Sequence, residues 1–379
     1  MLGLGKKHRG NIRALAVNSG GTRCVTGAHS DAFPDRDARV WSLPDLRLVR
    51  KLRGHDEGVL SAAWSPSGQY IVTGRASTFG PRQCKQPLRD YGGARVWDAN
   101  TGEQVGEFGL GLVEVRSLAF SADGRLLLSA GVAGKNGAKN LLQLWDMQER
   151  NEISRFDIQG MALESAELSP DGTIIACGGS RPFRGERVPS IGFSSRPVVV
   201  HIADDSATAP TLRLFETQSG HEICQFDYSL PVNSVKFSPD QAYLLACGKE
   251  YLLWDVASGR QAFKFQSDDS AWANSIDISS DGKHVAIACG DEIEQGRYVD
   301  CRVRVWRLQA PKEIATYYHK RPVHRVAFIP GRSLLVAGGD LGELHVWSFR
   351  PNDGRRLISW HYTLRGGNAG ETRGKRGTA

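Results

Sequence analysis

Two interleaved series of bulky apolar residues run the length of this 379-residue chain and restrict what it can fold into. The first series, Val17, Trp64, Phe120, Leu168, Phe237, Ile278 and Phe328, closes short alternating runs just ahead of turns. The second, Trp41, Trp97, Trp145, Phe215, Trp254, Trp306 and Trp347, closes later runs and alternates one for one with the first. A recurrence at about 40 to 50 residues marks an array of small units, none of which buries its apolar faces without a neighbour. One repeat domain over residues 1–364 is therefore expected, where length alone suggests two.

Each unit reads as four strands. In the third unit, Val115-Arg116-Ser117-Leu118-Ala119-Phe120 alternates, Ser121-Ala122-Asp123-Gly124 turns, and further runs follow at 125–131, 142–146 and 152–156. The turn recurs as Ser65-Pro66-Ser67-Gly68, Ser169-Pro170-Asp171-Gly172, Ser238-Pro239-Asp240-Gln241 and Ser279-Ser280-Asp281-Gly282. No long amphipathic helix pattern interrupts the series.

These residues resemble the WD40-repeat family. Its marks are the pairs Trp97-Asp98, Trp145-Asp146 and Trp254-Asp255, the pair Gly54-His55, and the Ser-Pro-Asp-Gly turns. The resemblance covers residues 12–350 and implies an all-β, seven-bladed β-propeller with four antiparallel strands per blade, innermost first. The blades then fall near 12–55, 59–109, 115–157, 163–227, 232–266, 273–318 and 323–364, and residues 365–379 form a basic, disordered tail. The Gly-His pair occurs once in its expected place, so the family's buried Asp-His-Ser/Thr-Trp network is expected to be incomplete in most blades. Leu357-Ile358-Ser359-Trp360-His361-Tyr362-Thr363 alternates better than Met1 to His8, which points to the C-terminal segment as the outer strand of blade 7.

Composition removes other classes. No run approaches the roughly 18 apolar residues of a membrane span, and Met1 to Lys7 has no signal-peptide core, so a cytoplasmic protein is expected. The net charge of +7 lies mostly in Lys6, Lys7, Arg9, Arg365, Arg373, Lys375 and Arg376, outside a nearly neutral body. Nucleic-acid binding through basic tails and loops is accordingly an alternative and not the leading reading.

Aligning second strands on their terminal glycine places Thr26, Thr73, Ala130, Cys177, Cys247, Cys289 and Ala337 at one position, where cysteine reads as a small packing residue. Without a Cys-x-x-Cys pair, neither metal nor disulfide is expected. Gly131-Val132-Ala133-Gly134-Lys135-Asn136 lacks the spacing of a phosphate loop, and the acidic stretches 31–37 and 291–294 lack that of a calcium loop; both acidic stretches read as solvated. No Gly-x-Ser-x-Gly or His-Glu-x-x-His occurs, so no cofactor and no enzyme activity are expected. An active site assembled from several blades at the channel mouth stays as an alternative.

Candidate binding residues fall in two places. Long loops between second and third strands share one face by the resemblance, and function tends to sit on loops held by a rigid scaffold. There, Arg75, Arg82, Lys85, Arg89, Lys135, Lys139, Arg181, Arg184 and Arg187, with Phe79, Tyr91, Phe183 and Phe193, form a basic arc across blades 2 to 4. Asp31, Asp35, Asp37, Asp291, Glu292, Glu294 and Asp300 form an acidic arc opposite, a field that would orient a charged partner. The resemblance also implies partner contacts from the residues that begin the innermost strands: Arg13, Leu60, Arg116, Glu164, Asn233, Asn274 and His324. So mixed a set suits a peptide better than a symmetric ligand. The expected function is a non-enzymatic scaffold, monomeric by itself and away from membranes, that binds a protein or peptide, acidic or phosphorylated, on the long-looped face.

Overall fold

The computed structural model describes residues 8–30, 35–76, 93–108, 111–133, 139–180, 211–226, 228, 230–265, 272–294, 297–349 and 362–363. Six of the seven blades begin with a hairpin whose turn is held by its own side chains. Ser65, Ser121, Ser169, Ser238 and Ser279 each accept at Oγ the backbone N–H five residues on, at 2.9 Å in every case. In four of these turns the same hydroxyl donates to the aspartate two residues on: Asp123, Asp171, Asp240 and Asp281. Such local bonding gives the backbone a turn that competes with a continued strand. Blade 1 does the same with Asn18, whose Oδ1 accepts the N–H groups of Thr22 and Arg23. The aspartate after the third-strand tryptophan shapes the following turn: Asp98 accepts from Asn100 and Thr101, and Asp255 from Ser258.

Seven four-stranded antiparallel sheets result, each pairing its strands in chain order. Their inner strands are Asn11–Val17, Val59–Trp64, Leu112–Phe120, Ala162–Leu168, Val232–Phe237, Ala273–Ile278 and Val323–Ile329. Each packs against the inner strands of both neighbours, the first against the seventh included, so the ring is closed. The molecule is the all-β, seven-bladed propeller that the resemblance implies. Blade 6 carries an extra hairpin, Asp291–Glu294 with Arg297–Val299, between its second and third strands. The fourth strand of blade 7 is Tyr362–Thr363, antiparallel to Leu344–Ser348 and inside the C-terminal segment favoured by the sequence.

The core lies between blades. Seven apolar clusters each draw residues from two adjacent blades, which is why a single blade has no core of its own. Trp41 and Trp97 are fully buried in them, and each such side chain stabilises the ring by roughly 2–3 kcal/mol.

The buried polar network is richer than expected in blade 1. His8 Nδ1 lies 2.9 Å from Asp35 Oδ2, its Nε2 2.8 Å from Thr26 Oγ1, and Trp41 Nε1 donates to the same hydroxyl at 2.8 Å. All four members are present, although His8 follows lysine and so escapes a search for Gly-His. Blade 2 joins His55, Thr73 and Trp97 at 2.6 and 2.7 Å. In blade 7 His319 sits where His8 and His55 sit, but Ala337 offers no hydroxyl; the ring packs edge-on against Trp347 and His345 instead.

Strand pairing also revises the cysteine alignment. The residue two positions beyond the cross-strand partner of the third-strand aromatic is Thr26, Thr73, Ser129, Cys177, Ala246, Ile287 and Ala337. Ser129 therefore replaces Ala130, while Cys247 and Cys289 lie one and two places further along, because the terminal glycine is not at a fixed distance from that position. Ser129 gives Trp145 Nε1 an acceptor at 3.0 Å. Ala246 and Ile287 give none, and the indole N–H groups of Trp254 and Trp306 are buried without a partner among the described residues. Cys24, Cys177, Cys247 and Cys289 are free and buried, and burial raises each thiol, Cys289 to about 11.

Candidate functional site at the channel mouth

In every inner strand the pairing with its neighbour slips by one residue near the start. The skipped residues are Arg13, Leu60, Arg116, Glu164, Asn233, Asn274 and His324. A bulge leaves one residue outside the ladder and re-aims its side chain. The seven residues singled out in the sequence thus share one structural position around the channel, on the face that carries Asp340 and the blade 6 hairpin.

Neighbouring blades are tied together through these positions. Arg116 binds Glu114 and Glu164, each at 2.7 Å, and donates to the carbonyl of Leu163 at 2.8 Å, joining blades 3 and 4. Arg13 Nη1 lies 3.4 Å from His324 Nδ1, whose Nε2 is 2.5 Å from Asp340 Oδ1, joining blades 1 and 7. Asn233 donates to the carbonyl of Ala273 at 2.9 Å, and Asn274 to those of Gly290 and Val323 at 2.9 and 3.0 Å. Leu60 is buried. One residue further on, Ser61 donates to Val115 O, while Ser117, Ser165 and Ser275 accept the N–H groups of Ala166, Val235 and Val326. The mouth is a belt of bonds that clasps the ring.

Burial sets its charge states. Burial first, and then the charge of Arg13, lower His324 to about 4, so it is neutral near pH 7. Burial raises Glu164 against the pull of Arg116, whereas Arg116, despite burial, is held charged by Glu164 and Glu114. With both nitrogens of His324 engaged, the imidazole is placed to orient rather than to shuttle protons.

A second charged set, which the sequence reading missed, lies three residues down the inner strands, about 10 Å deeper. Lys236 Nζ meets Glu167 Oε1 at 2.5 Å, and Asp277 Oδ2 accepts from the N–H of Phe328 at 2.8 Å. Burial pushes Asp277 up to about 6. The available signal was contrast: blades 1, 2, 3 and 7 hold Ala16, Ala63, Ala119 and Ala327 at the same place.

The two arcs fare differently. Arg75 is buried, 3.5 Å from Asp56, and Lys139 is exposed beside Asp157 at 3.3 Å. Phe79, Arg82, Lys85, Arg89, Tyr91, Lys135, Arg181, Phe183, Arg184, Arg187 and Phe193 lie outside the described residues, as does Asp31. Asp35 is not a solvated rim carboxylate. It is buried, bound to Arg39 at 2.8 and 3.2 Å and to His8; burial alone would raise it, but the His8 hydrogen bond and the charge of Arg39 hold it far below the usual range. Asp300 repeats this arrangement in blade 6, buried against Arg302 and 3.5 Å from Arg304. Both acids stand four residues ahead of a third-strand arginine that neutralises them, so neither contributes to an acidic rim. Asp37 pairs loosely with Lys51 at 3.8 Å, and Asp291, Glu292 and Glu294 belong to the blade 6 hairpin strand.

Among the described residues no three His, Cys, Asp or Glu side chains are grouped to hold a metal ion, and no helix is long and apolar enough to cross a membrane.

Comparison with known proteins agrees with this geometry. The family model described as WD domain, G-beta repeat matches residues 46–78, 214–255 and 311–348. Each match begins beside the outer strand of one blade or in the strand before it and ends in the next blade, so sequence repeat and blade are offset. Eukaryotic translation initiation factor 3 subunit I of Nematostella vectensis is 21% identical over 332 residues, covering 79% of this chain and 96% of that protein. Small ribosomal subunit protein RACK1y of Oryza sativa subsp. japonica is 24% identical over 38% of each chain. Human apoptotic protease-activating factor 1 is 25% identical over 43% of this chain. The matched part is only 12% of that last protein, so the chain spans a small fraction of its length.

Proposed function

Because this chain is a WD40-repeat β-propeller, we propose that it is a non-enzymatic scaffold binding a protein or peptide over the channel mouth, in the cytoplasm. The observation that carries this reading is the ring of seven bulges, which presents arginine, leucine, glutamate, asparagine and histidine at one level of a closed ring. Unlike side chains around one opening suit a partner read residue by residue. Because the belt is already bonded, little ordering entropy is lost on the scaffold side when a partner docks. Free buried thiols fit a reducing compartment. The relatives support the coarse reading by their names, an initiation-factor subunit and a ribosomal-subunit protein, each part of a larger assembly.

The test is parallel affinity capture with the intact chain and with folded variants in which residues 77–92 or 181–210 are shortened or Asn233 is replaced by alanine. One partner held by the intact chain and lost from a variant with an unchanged circular dichroism spectrum supports the reading. Identical capture by all of them overturns it.

A further inference from the structure

Six inner strands place a small residue directly after the bulge: Ala14, Ser61, Ser117, Ser165, Ser234 and Ser275. The seventh places Arg325 there. Its Nη1 donates to the carbonyl of His324 at 2.8 Å and to that of Asn274 at 3.4 Å, which fixes the plane of the guanidinium. Nε and Nη2 donate to no group among the described residues, neither is among the fully buried unpartnered atoms, and the residue is half-buried, so this edge keeps some contact with solvent in the channel mouth. Those two N–H groups form the side-on edge by which arginine holds a carboxylate or phosphoryl group in two parallel hydrogen bonds.

The acids near this edge are already committed. Asp340 is bound to His324 at 2.5 Å and Glu164 to Arg116 at 2.7 Å. Arg13, which touches His324, adds a second positive charge from blade 1. Burial, and after it the charge of Arg13, depress Arg325 to about 10, the direction expected when a cation is half withdrawn from water beside another cation. An oxyanion placed against the open edge would reverse both effects. At the six equivalent positions the ring closes with a methyl or hydroxyl group, so closure does not call for a guanidinium.

We propose that the Nε and Nη2 edge of Arg325, beside Arg13, seats an oxyanion carried by the partner peptide, a carboxylate or a phosphoryl group reaching into the channel mouth. This rests on the reading of the mouth as the partner site and specifies the chemistry recognised there. Its position, between blades 7, 1 and 6, differs from the basic arc that the sequence suggested across blades 2 to 4.

The probes are inorganic phosphate and acetate, titrated separately into the full chain at constant ionic strength against chloride while Tm is followed. Wild type should show a saturable rise in Tm, because a ligand that binds only the native state stabilises it. Arg325→Ser installs the residue found in five other blades and should keep the wild-type circular dichroism spectrum and chloride Tm, with at least a tenfold loss of apparent anion affinity. Arg325→Lys keeps the charge without the planar fork and should fall between. A response to acetate identifies a carboxylate source, a response to phosphate a phosphoryl source, and a response to both the shared chemistry. Equal responses from wild type and Arg325→Ser overturn the proposal, as does a wild type that responds to neither. A chloride Tm clearly below wild type for both Arg325→Ser and Arg325→Lys would make Arg325 a structural clamp and also overturn it. No arm requires the partner, so a failed anion response and a failed partner capture are separate results.

Discussion

Thr26 is the junction of the blade 1 network, and Thr26→Val tests whether buried indole and imidazole nitrogens need that hydroxyl. The substitution keeps the side-chain shape while removing the acceptor for Trp41 Nε1 and the partner of His8 Nε2, both at 2.8 Å. Each stranded buried group costs about 1–3 kcal/mol, and the more apolar valine returns about 1 kcal/mol. The expected loss is about 1–5 kcal/mol, seen in urea denaturation as a lower midpoint with unchanged m. Ser129→Ala supplies the scale, because it strands only Trp145 Nε1, and its expected loss is about 1–2 kcal/mol. Ala246→Thr runs the other way: it offers an acceptor to the unpartnered Trp254 Nε1 and should be neutral or stabilising by up to about 1 kcal/mol. If Thr26→Val costs no more than Ser129→Ala, the hydroxyl is not a junction and the network argument fails.

Three further outcomes are expected. His55 and His324 are buried and neutral, held near 3 and 4, so below about pH 6.5 the unfolded chain takes up protons that the native state refuses and stability falls with pH. From pH 7 to pH 4 this amounts to about 3 kcal/mol for each histidine, offset by about 2 kcal/mol from Asp277, which protonates first in the native state. Asp277→Asn should remove the offset and steepen the acid loss in a urea-midpoint series, whereas an unchanged slope would contradict the assignment. Arg116→Met strands Glu114 and Glu164 in a half-buried setting and should cost about 2–3 kcal/mol, with part recovered by adding Glu164→Gln; no recovery would mean that the pair is not coupled. Gln241 occupies, at φ 62°, the turn position that is glycine in five of the other six blades, so Gln241→Gly should stabilise by up to about 1 kcal/mol in thermal denaturation.

What the sequence disclosed and what it hid follow from one physical distinction. Apolar period, turn chemistry and bulge positions repeat because every blade solves the same packing problem, so Trp64 can be placed by analogy with six counterparts and Ser169 with four other serines. Burial of a charge is a one-blade event. Asp35 and Asp300 read as rim charges in the sequence because the side chains that bury them, His8 with Arg39 and Arg302 with Arg304, act through strand pairing. Glu167, Lys236 and Asp277 read as the polar side of alternating strands, although that side faces a narrow channel and not bulk water. The cysteine alignment slipped because a terminal glycine marks where a strand ends, whereas cross-strand pairing marks where a residue sits.

These differences distribute polarity unevenly around an otherwise regular ring. Blades 1 and 2 spend their buried polar groups on internal networks, with His8, Thr26, Trp41, His55, Thr73 and Trp97 bonded to one another. Among the described residues blades 5 and 6 have no such network and leave the indole N–H groups of Trp254 and Trp306 without a partner, and they carry Lys236 and Asp277 on their inner strands instead. Buried charge is weak evidence for stability, since well-packed apolar side chains often do as well or better. Alanine at the equivalent positions of blades 1, 2, 3 and 7 shows that this ring closes without charge there. Where charge does occur it bonds across blades, Lys236 to Glu167 between blades 5 and 4 and Asp277 to the N–H of Phe328 between blades 6 and 7, so these blades meet through polar contacts where the alanine blades meet through packing alone.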